Sequence, residues 1–128
     1  MTYIDSSVAL AYLFAEARAP SAQFLELRLI SSRLLEYEVW TRVHARRPGE
    51  AVERSAHTLL AGVEMIEMNA GALGRALEPW PVALRTLDAV HLATALFLLD
   101  QGETVELASY DTRMTAAARA IGIGLAPL

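Results

Sequence analysis

The chain has 128 residues, 54% apolar and 20% charged, which suits one domain around one core and excludes a disordered polymer. It contains no cysteine, so disulfides, thiolate zinc sites and thiol nucleophiles are excluded, and any metal must be held by oxygen or histidine nitrogen. The net charge of -4 gives a field that repels nucleic acid, so a polyanionic substrate needs a local basic strip or bridging metal ions.

No apolar run approaches the ~20 residues of a membrane helix, and no basic segment precedes an apolar one at the N-terminus. The expectation is a soluble, cytoplasmic protein without a membrane partner. Thr2 to Asp5 reads as a short strand that leaves Asp5 at its C-terminal end. The apolar pattern VALAYLF then predicts a helix to about Glu16, capped by Asp5 or Ser6. Pro20 fits the first turn of a second helix reaching about Arg28, and Leu29 to Ser32 reads as a second strand.

From Arg33 to Arg47 the spacing is helical, with Leu35, Val39 and Val43 on one face. Glu38 stands at the edge of that face and Arg42 one turn further on. Arg42, Arg46 and Arg47 form the main basic strip, which suits either a contact with an RNA backbone or an acidic protein partner, or simply a helix C-terminus. Glu50 to Leu60 predicts a shorter helix, Val63 to Met68 a strand with one wetter face, and Asn69 to Leu77 a brief helix. EPWP, from Glu78 to Pro81, is a rigid break.

Leu84 to about Gln101 is apolar on almost every side, which predicts a helix buried all round and ended by Gly102. Asp88 near its head therefore needs a cation, a metal or a cluster of donors. Val105 to Tyr110 reads as a strand, Asp111 as the cap of a helix from Thr112 to Ile121, and Ile123 to Leu128 as an edge strand. Alternation of strands and helices predicts a three-layer α/β/α fold with a mostly parallel sheet of 4-5 short strands.

In such sheets ligands bind at the carboxyl ends of the strands. Asp5 and Asp111 lie at such ends, while Asp88 and Glu38 lie in the first halves of helices, so the four converge if those helices start at one sheet edge. Four oxygen donors without thiolate suit Mg²⁺ or Mn²⁺ better than zinc, and such a site suits phosphodiester hydrolysis. The plain structural alternative makes Asp5 and Asp111 helix caps, Asp88 a first-turn acid with Thr86 as cap, and Glu38 an i,i+4 partner of Arg42. His91 reads as hydrogen-bonded structure, because no serine stands on a G-x-S-x-G elbow.

The segments YIDSS, SSRLLEYEVWTRV, LRTLDAVHLATAL and LASYDTRMTAAARAIGI follow one another over nearly the whole chain. Together they resemble a PIN domain, most closely the toxin of a VapBC-type toxin–antitoxin pair. The resemblance implies a single PIN domain over residues 1–128 and an Mg²⁺-dependent endoribonuclease, with Mn²⁺ as a substitute ion. It also implies a homodimer silenced by a cognate VapB-like antitoxin.

Carried over by position, the family's acidic residues fall on Asp5, Glu38, Asp88 and Asp111. Asp5, Asp88 and Asp111 would bind metal directly, and Glu38 would bind metal or position the attacking water. Ser6 and Ser109 match supporting hydroxyls. Some relatives carry a further acid after the last of these; here Thr112, Arg113 and Met114 follow Asp111, so that ligand is absent. The apolar first helices, around Tyr12, Phe14, Phe24 and Leu25, offer a surface for a dimer or antitoxin helix. The competing classes are a non-catalytic PIN-like binding module and an aspartate-based phosphatase or receiver domain. Against the latter, Ser6 and Ser7 follow Asp5 where a D-x-D pattern would be needed, and the chain has no lysine.

Overall fold

The computed structural model describes residues 1–128. In chain order the elements are β1 (Thr2–Ile4), α1 (Ser6–Leu13), α2 (Ala22–Leu25), β2 (Leu29–Ser32), α3 (Leu34–Arg46), α4 (Glu50–Ala61) and β3 (Val63–Ile66). There follow α5 (Ala70–Ala76), α6 (Thr86–Asp100), β4 (Glu106–Ala108), α7 (Thr112–Ala120) and β5 (Gly124–Leu125). The five strands form one sheet in the order β3-β2-β1-β4-β5, and every neighbouring pair is parallel.

Side chains alternate across a strand, so a sheet covered on both faces needs apolar residues at consecutive positions. The three central strands meet that demand. Ile4, Leu29 and Ala108 face a core completed by Val8, Leu35, Val39, Val43 and Leu59 from α1, α3 and α4. Tyr3, Ile30 and Leu107 face a second core with Leu92, Leu98, Met114 and Ala118 from α6 and α7. The result is the three-layer α/β/α arrangement, with β1 in the middle of the sheet. α5 lies along α6 closely enough that a Cβ on Gly71 would stand 2.9 Å from Phe97 Cε2, so glycine permits the approach.

Several elements are shorter than their sequence patterns. β4 pairs with β1 only through Glu106 to Ala108, because β1 itself offers three residues; Val105, Ser109 and Tyr110 lie outside the ladder. β3 ends at Ile66 for the same reason, its partner β2 ending at Ser32, and β5 is only Gly124 and Leu125, paired with Glu106 and Leu107. The second helix is one turn, capped by the Ser21 hydroxyl on the Phe24 amide at 3.1 Å, rather than running from Pro20 to Arg28.

The prediction of a wholly buried α6 needs correction at its head. Leu87 is 48% exposed there, whereas Leu92, Ala93 and Ala95 further along are buried between the sheet and α5. Arg85, not Thr86, occupies the N-cap position, and no side chain caps the helix. Gly102, at φ +87, follows the helix end as expected. No helix is long and apolar enough to cross a membrane.

Candidate active site

β1 ends at Ile4, and Asp5 leaves it at the carboxyl edge of the sheet. Its extended backbone lets the side chain turn back onto α1, where Oδ1 accepts the Ser7 amide at 3.1 Å and the Ser7 hydroxyl at 2.5 Å. Oδ2 accepts the Ser109 hydroxyl at 2.6 Å. Only 4% of Asp5 is exposed. Burial raises its pKa above the ordinary carboxylate value, against the opposing pull of the Ser109 and Ser7 bonds.

The same two serines tie the end of β1 to the end of β4. Ser7 Oγ accepts the Tyr110 amide at 2.9 Å, and Ser109 Oγ accepts the Asp111 amide at 3.0 Å. Asp111 caps α7 as the sequence predicts, accepting the Arg113 and Met114 amides on Oδ1 at 2.8 and 3.3 Å. Its other oxygen lies 3.7 Å from the Arg85 guanidinium, which also stands 3.5 Å from Asp88. Asp88 sits in the first turn of α6, where the helix dipole favours negative charge, and its side chain is 17% exposed. It is therefore half-buried rather than enclosed.

Glu38 projects from α3 toward the same edge. Its Oε2 accepts the Ser6 hydroxyl at 3.3 Å, and its Oε1 lies 2.5 Å from His91 Nε2. The expected i,i+4 pair with Arg42 is not formed; the carboxylate turns inward to the imidazole instead. Hydrogen bonds link Asp5 through Ser109 to the Asp111 amide, and the Arg85 guanidinium links Asp111 to Asp88, while Glu38 is tied to Ser6, the residue that follows Asp5 in the chain. All four acids reach one edge of the sheet.

The arrangement is not a finished cage: no three histidine or carboxylate side chains stand together closely enough to hold a metal ion. Mg²⁺ does not require one, since it commonly keeps several waters and takes one or two carboxylates plus substrate phosphate. The donor set, all hard oxygen, fits that ion, and the Arg85 guanidinium already places positive charge between Asp88 and Asp111.

Beside the acids lies a cleft of about 370 Å³ lined by Ser7, Phe14, Arg18, Arg42, Arg46, Tyr110 and Asp111, among others. Arg46 stacks over the Phe14 ring at 4.3 Å and Arg18 over Tyr110 at 5.6 Å. The predicted strip of Arg42 and Arg46 therefore opens onto the acidic edge, joined by Arg18, which the sequence reading did not single out. Ser7, Arg85, Tyr3 and His91 were likewise missed as site residues. Two signals were available: Ser7 stands two residues after Asp5, where an Asx cap bonds, and Arg85 and His91 lie three residues either side of Asp88.

The PIN domain family profile matches residues 2–120. The chain is 33% identical to Ribonuclease VapC46 of Mycobacterium tuberculosis, over 96% of this chain and 94% of that protein. It is 31% identical to Ribonuclease VapC35 of the same organism, over 98% and 95% respectively. Its fold is similar to the crystal structure of the M. tuberculosis VapC20 toxin, described as cleaving the sarcin-ricin loop, with a TM-score of 0.68 at 20% identity over 91% of this chain and 95% of that one. With the five-stranded parallel sheet and its acidic carboxyl edge, these similarities establish that the chain belongs to the PIN domain family, in its VapC-like branch.

Proposed function

We propose that this chain is a divalent-metal-dependent endoribonuclease, the toxin of a VapBC-type pair, using Mg²⁺ with Mn²⁺ as a substitute. The observation that carries the reading is that Glu38, Asp5, Asp111 and Asp88 stand at one edge of the sheet, Asp5, Asp111 and Asp88 linked through Ser109 and Arg85 and Glu38 held by Ser6 beside them. Relatives matched over nearly the whole chain are named ribonucleases, which supports the reaction class.

Asp5, Asp88 and Asp111 are the residues that would hold the ion. Bound there, Mg²⁺ supplies charge neutralisation at the phosphodiester and a water more acidic than bulk water. Glu38 orients the attacking water or shares in holding the ion, and Ser6 steadies its Oε2. Ser7 and Ser109 keep Asp5 in place through bonds to both of its oxygens. Arg18, Arg42 and Arg46 line the adjoining cleft and offer guanidinium groups to RNA phosphates, a local exception to the repulsive net charge of -4.

An antitoxin partner and a homodimer belong to the same proposal. Tyr12, 40% exposed, lines with Leu25, Leu29 and Leu59 a cleft of about 500 Å³ that supplies apolar surface for either. A phosphoryl-acceptor role for Asp5 is disfavoured, because Ser6 and Ser7 follow it where a D-x-D pattern would be needed and no lysine is present to pair with a phosphate.

One observation favours a non-catalytic module instead: each acid already has a structural partner, whether cap, serine, arginine or imidazole. Thermal melts with and without Mg²⁺ separate the two. The nuclease reading predicts stabilisation of the wild type, about 2.7 kcal/mol when Mg²⁺ is at a hundred times its Kd, and almost none for Asp88→Asn. Equal melts for both proteins at all Mg²⁺ concentrations would support the module.

A further inference from the structure

Behind Glu38 stands a buried polar line that the proposed chemistry leaves unexplained. His91 is 1% exposed and Tyr3 is fully buried, so each hydrogen-bonding atom on them must find a partner within the protein. The Ser32 amide donates to the Tyr3 oxygen at 3.1 Å, and that oxygen lies 2.7 Å from His91 Nδ1. An amide can only donate, so the Tyr3 oxygen accepts at that contact; its own buried proton must in turn find an acceptor, which Nδ1 at 2.7 Å supplies. Nδ1 then accepts, the ring proton resides on Nε2, and Nε2–H points at Glu38 Oε1, 2.5 Å away. Burial reinforces this order by raising the Tyr3 pKa far above the usual phenol value, so the proton stays on the phenol.

The direction of the line matters. It begins at a backbone amide of β2, which has no alternative protonation state, and ends on a carboxylate whose second oxygen meets only the Ser6 hydroxyl. A histidine needed only to fill space could be replaced by an apolar side chain at no hydrogen-bonding cost, whereas this one is aimed from the core at a site carboxylate.

We propose that His91 is a positioning residue for Glu38, set in its Nε2–H tautomer by Tyr3 and holding the carboxylate toward the acidic edge. This rests on the nuclease reading and on the part that reading gives Glu38. His91 acts through Glu38, so its loss should imitate the loss of Glu38 and add nothing to it.

The test uses the purified full chain and Mn²⁺ as probe, with free Mn²⁺ read by electron paramagnetic resonance and RNA cleavage read alongside. His91→Leu should weaken Mn²⁺ affinity or kcat by about 10–100-fold, in step with Glu38→Gln, while the double variant is no worse than Glu38→Gln alone. His91→Gln, which can return an N–H near the place of Nε2, should recover most of that loss. Nitrogen-15 NMR of the metal-free wild type should show protonated Nε2 and bare Nδ1, and Tyr3→Phe should mix the tautomers. If His91→Leu does not fold, Tyr3→Phe carries the test, through the NMR signature of the retained imidazole and through Mn²⁺ affinity.

The inference falls if His91→Leu keeps wild-type affinity and kcat while Glu38→Gln does not, if the two losses multiply, or if Nδ1 carries the proton. A wild-type-like Glu38→Gln beside an inactive Asp88→Asn would remove the role of Glu38 and this inference with it. A wild-type-like Asp88→Asn would overturn the nuclease reading itself.

Discussion

Asp5 holds a charge where water barely reaches, and burial pushes its pKa up despite three hydrogen bonds from Ser7 and Ser109. A carboxyl whose folded pKa lies above its unfolded value binds more protons in the native state. Its contribution to stability is therefore present below the unfolded pKa, near pH 4, and is lost as pH rises through the folded value. In EDTA, Asp5→Asn should raise the melting midpoint at pH 8 relative to wild type and shrink the difference between pH 5 and pH 8; a lower midpoint at both pH values would contradict this. The same change removes a proposed ligand, so stability and activity move in opposite directions. At this scale the four acids were legible because each sits at a strand end or in the first half of a helix. Their supports were not, since the Glu38 contact with His91 joins residues 53 apart in sequence and only the fold reveals it.

Among the elements, α6 sets the limits of the site. Its buried middle anchors it to the sheet, and its exposed first turn carries Asp88 to the edge shared with Asp5 and Asp111. Leu92 is fully buried against Tyr3 and Leu107 in one core, so Leu92→Ala should cost about 2–5 kcal/mol in denaturant unfolding. A loss below about 1 kcal/mol would mean that α6 is not the anchor described. The apolar run from Leu84 to Leu99 made this helix plain, and the alternation of strands and helices along the chain made the doubly covered sheet equally plain. Strand lengths were less legible, because a ladder ends where the neighbouring strand ends, which no single segment records. The exposed first turn was missed for a similar reason: Leu87 is apolar, but its place beyond the sheet edge is a property of the packing.

For the whole molecule, charge is divided between an acidic field and one local basic wall. If Arg42 and Arg46 contact RNA phosphates, Arg42→Ala and Arg46→Ala should each raise KM for RNA more than they lower kcat. Each should also reduce the slope of log affinity against log salt by about 1. An unchanged salt slope would assign the strip to another partner.

The central claim is that the acids joined at the carboxyl edge of the sheet cut RNA with a divalent ion. It is tested most directly by incubating the purified chain, free of antitoxin, with a structured RNA pool that includes ribosomal RNA, in Mg²⁺, in EDTA, and as Asp88→Asn. The account predicts discrete cleavage products from the wild type in Mg²⁺ alone, with EDTA and Asp88→Asn both abolishing them. Cleavage that persists in EDTA, or at wild-type rate in Asp88→Asn, would contradict it.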